Sequence, residues 1–184
     1  MAGKPGWDVV TASTYVSAAG GTGELSAPEV DVESIEIDFS RPQGKRFGTL
    51  VHAVLSVVPL SSDLSGVEEV ARVQGRVLGA TEEEVGAAVG TVDRALRHPL
   101  LVRAAGAGSC RREVPVGLKL ADGVMIEGTV DLAFQENGSW TVVEYKTDFE
   151  IEGLLEEHKN QVSLYALGIS RATGIDARPV LLRI

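Results

Sequence analysis

Cysteine is nearly absent from this 184-residue chain, and Cys110 is the only one. That rules out an internal disulfide, a zinc site built on several cysteines and a four-cysteine iron–sulfur cluster. No apolar run approaches the ~20 residues a membrane span needs. The opening Met1-Ala-Gly-Lys-Pro-Gly-Trp-Asp8 holds no apolar stretch of signal-peptide type. The expected compartment is therefore the cytoplasm, with no membrane partner. The 21 glycines and 7 prolines follow no fixed period, which sets aside collagen-like and solenoid architectures. A Gly-x-x-x-x-Gly-Lys-(Ser/Thr) phosphate loop is missing too. Gln43-Gly-Lys45 is followed by Arg46, so no ATP motor is expected in this chain.

The remaining composition is ordinary for a globular protein, with 44% apolar and 23% charged residues. The length suits one domain, or one domain with an appendage, and is enough to bury a real core. A net charge of −9 argues against a generic nucleic-acid coat. The charge is unevenly spread. Residues 1–40 hold one lysine against seven acids, residues 41–112 ten bases against seven acids, and residues 113–184 six bases against twelve acids. A mildly basic middle thus lies between acidic flanks, whose acids are either solvated surface or partly gathered in a cation site.

Residues 1–45 read as a peripheral N-terminal arm or linker remnant, and residues 46–184 as the main domain. Within the arm, Ser17–Glu24 is a flexible glycine-rich stretch, and the rough alternation of Val30–Phe39 predicts a strand or an extended segment. Apolar spacings of 3, 4 and 7 predict a helix from Phe47 to Val58, ended by Pro59. Asp63 is placed to cap a second helix over Leu64–Leu78. Thr81 and Glu84 form a capping-box start for a third, reaching Arg97, and Leu100–Ala105 adds one more turn. After Gly108 the period changes to two. Strands are predicted at Cys110–Leu120, Val124–Phe134 and Trp140–Lys146, joined by turns at Asp122-Gly123 and Glu136-Asn137-Gly138. A long helix from Gly153 to Thr173 and an apolar strand over Arg178–Ile184 close the chain. Cys110 reads as a small packed residue. Helices, three antiparallel strands, a crossover helix and a final strand make an α/β (α+β) fold with a mixed sheet.

One strand carries chemistry. Alternation along Trp140–Lys146 puts Val142, Glu144 and Lys146 on one face, with Glu144 and Lys146 roughly 6–7 Å apart at their Cα atoms. Pairing across the preceding turn puts Asp131 opposite Val142 or Val143. The Val142 register turns Asp131 toward the face of Glu144. Two carboxylates converging from neighbouring strands suit a hard divalent cation, Mg²⁺ or Mn²⁺, and the backbone carbonyl of Tyr145 is a candidate third ligand. Such an ion lowers the pKa of bound water and neutralises phosphoryl charge, while Lys146 positions that water or stabilises the charge. In isolation the same residues read more readily as edge or surface charges, with Glu144–Lys146 a weak ion pair worth about 0–1 kcal/mol.

Five short elements occur in order: Gly48-Thr-Leu-Val-His52, Glu113-Val-Pro115, Gly128-Thr-Val-Asp131, Glu144-Tyr-Lys-Thr147 and Gln161-Val-Ser-Leu-Tyr165. Together they resemble the RecB-type branch of the PD-(D/E)XK nucleases. Within it they resemble the C-terminal nuclease domain of the AddA and RecB helicase–nucleases, the exonuclease V beta-subunit type with its UvrD/Rep-type helicase. The likeness covers residues 46–184. Each motif is weak by itself; the ordered set is specific.

The resemblance implies a restriction-endonuclease-like mixed sheet flanked by helices, with an extra N-terminal helical portion. It implies that Asp131 and Glu144 bind the metal, with His52 as a further ligand or a near neighbour. Lys146 becomes the catalytic lysine, Gln161 and Tyr165 contact DNA or brace the site, and Glu113 orients it. The cofactor implied is Mg²⁺, with Mn²⁺ as a substitute. The partners implied are DNA, the helicase motor region of a longer parent chain and a second helicase–nuclease subunit. The implied activity is hydrolysis of DNA phosphodiesters during double-strand-break repair and recombination. One departure is the Glu at position 144, where this branch more often has Asp. The rival reading is a catalytically silent domain of the same fold that binds DNA or a partner subunit.

Overall fold

A computed structural model describes residues 8–22, 25–147 and 152–184. Gly23 and Glu24 of the glycine-rich stretch, and Asp148 after the fourth motif, lie outside them. Twelve elements follow in order: β1 (Asp8–Thr11), α1 (Ala12–Ala19), β2 (Asp31–Ser34), α2 (Lys45–Val57), α3 (Leu64–Leu78), α4 (Glu82–Arg97), α5 (Pro99–Gly106), β3 (Cys110–Lys119), β4 (Val124–Glu136), β5 (Ser139–Lys146), α6 (Glu152–Thr173) and β6 (Ala177–Arg183). The strands form a mixed sheet in the order β1-β4-β5-β6-β2, with β3 also paired to β4. β1 runs parallel to β4 and β5 antiparallel to it. The Trp140 N–H donates to the Asp176 carbonyl and the Ile184 N–H to the Lys146 carbonyl, each at 2.8 Å. Bonds in that sense at both ends make β6 parallel to β5. No described helix is long and apolar enough to cross a membrane.

The described residues fall into two compact units. The first holds residues 8–22, 25–31, 111–144 and 152–181. Its core joins the inward faces of the strands (Val116, Leu118, Ile126, Val130, Ala133, Val142) to α1 (Ala12, Val16) and α6 (Val162, Leu164, Tyr165, Ala166, Ile169). Residues 8–19, within the arm, supply β1 and α1. Thr11 caps that helix by accepting from the Thr14 N–H, and Gly20 ends it at φ 68°. The four-residue strand before it is too short to show a period in sequence. Of the alternating Val30–Phe39 stretch only β2 is strand. Cys110 is exposed rather than packed, because it opens β3 ahead of the stretch whose alternate residues Val116 and Leu118 are buried.

The second unit holds residues 32–110, 145–147 and 182–184. Its helices meet through Phe47, Leu50, Val51 and Val54 of α2, Val67 and Ala71 of α3, Ala88, Val92 and Ala95 of α4, and Leu100, Leu101 and Ala104 of α5. The ends are specified locally. Asp63 accepts from the Gly66 N–H, and α4 opens on the complete Thr81–Glu84 capping box. His98 accepts from the Leu100 N–H through Nδ1 at 3.3 Å, which caps α5. That helix runs for eight residues, from Pro99 to Gly106, where the sequence predicts a single turn.

Candidate active site

In the first unit the β4–β5 hairpin sets the geometry. Its turn holds only Asn137 (φ 50°) and Gly138 (φ 80°), the two positive φ values of a type I′ turn. Pairing therefore starts at Glu136–Ser139 and runs to Leu132–Val143. Val142 faces Ala133 and Val143 faces Leu132, so neither expected partner of Asp131 stands opposite it. The paired stretch ends one residue short of Asp131 and Glu144. Both carboxylates nonetheless act on one phenol, that of Tyr165. Glu144 is only 6% exposed; Asp131 is half-buried.

Tyr165 of α6 reaches the same place. Its ring occupies space that exists because residue 128 is glycine. A Cβ built at 128 would lie 2.4 Å from Tyr165 Cε1 and 2.6 Å from Cζ. Gln161, one turn earlier, donates from Nε2 to the Tyr165 hydroxyl at 2.9 Å. The hydroxyl pKa is pushed above its usual value, first by burial and then by the negative charges of Glu144 and Asp131. Hydrogen bonds from Gln161 and the Thr129 backbone act in the opposite sense. The phenol therefore stays protonated, and having accepted two hydrogen bonds it keeps its own O–H to donate. A cleft of about 600 Å³ opens beside it, lined among others by Thr11, Met125, Glu127, Thr129 and Tyr165.

In the second unit α2 packs on the last residues of β5. A Cβ at Gly48 would lie 2.7 Å from Thr147 Oγ1, so glycine permits that approach. One turn on, the His52 ring meets Tyr145 edge-on, with centroids 6.0 Å apart and planes at 72°. Lys146 is half-buried, and its carbonyl is held by the Ile184 N–H. Glu113 is exposed and has a φ of 51°, the left-handed region unusual outside glycine. Thus the structure brings together Asp131, Glu144, Gln161 and Tyr165 in one unit, and His52 and Tyr145 in the other.

Arg41 has no counterpart among the residues the sequence singles out. It sits in Ser40-Arg-Pro42, which looks like a loop, yet it is 6% exposed. Its guanidinium donates to Thr91 Oγ1 (3.1 Å), the Thr147 carbonyl (2.6 Å) and the Ile184 carbonyl (2.8 Å), and lies 4.9 Å from the centre of the Phe47 ring. These three acceptors are remote in sequence, so they leave no local signal to mark it.

The donor chemistry fits a hard divalent cation. Two carboxylates lie near enough to one phenol that both charges are felt there. Among the described residues, no group of three or more His, Cys, Asp or Glu side chains forms a cation cage. One or two protein carboxylates, with water and substrate phosphate completing the shell, is the usual arrangement for Mg²⁺.

The fold, a mixed sheet flanked by helices, is consistent with that of the PD-(D/E)XK nucleases. The chain belongs to the PD-(D/E)XK nuclease superfamily, whose family model matches residues 27–184. Members of that superfamily generally use divalent metal ions. The chain is 25% identical over 148 residues to an AddA-type ATP-dependent helicase/nuclease from Thermoanaerobacter sp. (strain X514), a match covering 69% of this chain and 12% of the relative. A second relative of the same type, from Clostridioides difficile (strain 630), is 40% identical over 57 residues, covering 29% of this chain and 4% of its own length. The matched region is thus about an eighth of the length of the first relative. Among solved structures, protein VC1899 from Vibrio cholerae aligns over 94% of this chain and 58% of its own, at 13% identity and a TM-score of 0.27. That likeness is too loose to bear on fold or function.

Proposed function

We propose that this chain is the divalent-metal-dependent deoxyribonuclease domain of a helicase–nuclease, with Mg²⁺ as the ion and Mn²⁺ as a substitute. Residues 46–184 form the catalytic domain. Residues 1–45 form an N-terminal arm whose strand β1 joins the sheet beside β4. Asp131 and Glu144 hold the cation, with His52 and the Tyr145 carbonyl as further ligands. Bound there, the ion neutralises phosphoryl charge and lowers the pKa of a coordinated water. Lys146, two residues beyond Glu144, presents its ammonium to the scissile phosphate and orients the attacking water. Tyr165 and Gln161 brace the carboxylates, and the cleft beside Tyr165 receives the strand being cut. Glu113 orients the site from outside it.

The relatives' names, which join helicase and nuclease, support the wider setting. DNA ends reach this site from the motor region of a longer chain, partnered by a second helicase–nuclease subunit, during double-strand-break repair and recombination. The reaction is of exonuclease V type.

The observation that carries this reading is the β4–β5 register, whose last pair, Leu132–Val143, lies next to Asp131 and Glu144, with Lys146 following on the same strand. The test is cleavage of end-labelled linear single- and double-stranded DNA with Mg²⁺, Mn²⁺ or EDTA, beside Asp131→Ala. Metal-dependent cutting lost in the variant supports the proposal. A folded wild-type protein that neither cuts nor binds Mn²⁺ overturns it in favour of a silent binding domain.

A further inference from the structure

We infer that Arg41 is a positioning residue for the nuclease reaction, holding the backbone that carries Lys146; this rests on the nuclease reading above. Moving a guanidinium out of water is expensive unless its donors are used, and a buried charge is seldom the cheapest way to stabilise a fold. Arg41 is buried all the same; its guanidinium donates to Thr91 Oγ1 and the carbonyls of Thr147 and Ile184, and its charge also acts on the Asp38 carboxylate.

Two of those acceptors bracket the catalytic lysine. The Thr147 carbonyl belongs to the residue after Lys146. Ile184 follows β6, and its N–H donates to the Lys146 carbonyl at 2.8 Å. One guanidinium nitrogen, Nη2, serves both carbonyls. The result is a closed circuit: the Lys146 carbonyl is held by the Ile184 N–H, the Ile184 carbonyl by Arg41, and Arg41 also holds the Thr147 carbonyl. The Lys146 side chain leaves the backbone from inside this circuit. Phe47 under the guanidinium and Thr91 on Nη1 fix the plane of the fork. A lysine ends in one nitrogen on a flexible stem, so it cannot hold both carbonyls and Thr91 Oγ1 together in the fixed plane of a guanidinium. Misplacing a reacting group by 1 Å costs about 100-fold in rate, so loosening the circuit acts on turnover before it acts on binding.

The experiment measures steady-state cleavage of linear DNA by the full chain as wild type, Arg41→Lys and Arg41→Ala, beside amide hydrogen exchange of each. Arg41→Lys is expected to lower kcat by about 100-fold, with KM and Mn²⁺ affinity held within about twofold. Exchange at the Ile184 amide should speed up, while the β4 and α6 amides keep their protection. Millimolar guanidinium should restore part of the turnover of Arg41→Ala and none of that of Lys146→Ala. Arg41→Lys carries the test if Arg41→Ala does not fold. An unchanged kcat in folded Arg41→Lys overturns the inference alone. So does a loss of turnover that comes with uniformly faster exchange across the sheet, which marks a purely structural role. A wild-type protein that cuts nothing overturns the nuclease reading, and Arg41's part in that reaction with it.

Discussion

Substituting Gly128 by alanine sets two effects of opposite sign against each other. Gly128 is not among the positive-φ glycines, so its backbone suits alanine. Taken alone, the lost freedom of the unfolded chain would stabilise the protein by about 0.4–1 kcal/mol. Against this stands the ring of Tyr165, whose Cε1 and Cζ lie 2.4 and 2.6 Å from the new Cβ. Ordinary carbon contacts are about 3.5–4.0 Å, so the ring must retreat by about 1 Å. It is not the loose end of an exposed chain, being 5% exposed and tied to Gln161. Overpacking of this kind costs about 1–3 kcal/mol, and the clash outweighs the backbone gain. At about 2–4 °C per kcal/mol for a chain of this size, melting should fall by roughly 2–12 °C. Tyr165→Phe removes only the hydroxyl and leaves both ring clashes, so it should not rescue the variant. Tyr165→Leu removes the far side of the ring, and on that background Gly128→Ala should cost almost nothing. Thermal melting of the four proteins of the Gly128→Ala/Tyr165→Leu cycle is the assay. Coupling of about 1–3 kcal/mol is expected for residues in such contact. Additivity within about 0.5 kcal/mol would mean that the tyrosine does not depend on the missing side chain.

Lys146→Ala should abolish cleavage and leave melting within a few degrees of wild type; retained cutting removes the proposed role. Asp131→Ala should end the rise in melting temperature on adding Mn²⁺. Without metal it should raise stability by about 0.2–1 kcal/mol, because it removes one of two like charges on neighbouring strands; a Mn²⁺-induced shift that survives would count against the site. Glu84 tests a pH dependence. Its carboxyl is held below the usual range, chiefly by the Arg46 side chain 2.9 Å away and then by the Thr81 N–H. A carboxyl whose pKa falls on folding adds stability above its unfolded value, about pH 4.3, and loses it as pH drops through the lower folded value. Glu84→Gln should therefore weaken the protein at neutral pH and converge with wild type in acid. Urea midpoints across that range check this, and an equal deficit at every pH would refute it.

Much of the fold is written in local signals. The capping box at Thr81, the cap at Asp63 and the Asn137-Gly138 turn each depend on residues within four positions, and each stands where the sequence puts it. The same turn fixes the strand register, because its two positive-φ residues leave no room for a longer loop. The expected Val143 partner of Asp131 follows from counting Glu136 into that turn, and the Val142 partner from a loop one residue longer still, whereas Glu136 is already paired with Ser139. β1 and α1 are hidden for a different reason. The strand has four residues, and its place in the sheet comes from parallel pairing with Val124–Glu127, a partner more than a hundred residues away. Arg41 is hidden for the same cause: a buried cation is defined by its acceptors, and these stand 50, 106 and 143 residues distant.

The motifs carry more physics than their acids and lysine. Gly128 opens the third motif three residues before Asp131, and the space it leaves is filled by Tyr165, which closes the fifth. Gly48 opens the first motif, and the space it leaves is filled by Thr147, which closes the fourth. His52, four residues after Gly48, then meets Tyr145, two before Thr147. Each glycine is thus half of a steric pair whose other half lies in a different motif, and each pair lies beside a candidate metal-binding or catalytic group. A chain that kept Asp131, Glu144 and Lys146 but carried alanine at 48 and 128 would keep the reactive atoms and lose their placement. It should bind a divalent ion and cut poorly, and enlarging the space by Thr147→Ser should not restore it, because the hydroxyl oxygen that meets the new Cβ at 48 remains. Thr147→Ala removes that oxygen and should relieve the Gly48 half of the defect, which separates a steric role for the motif glycines from a purely conformational one.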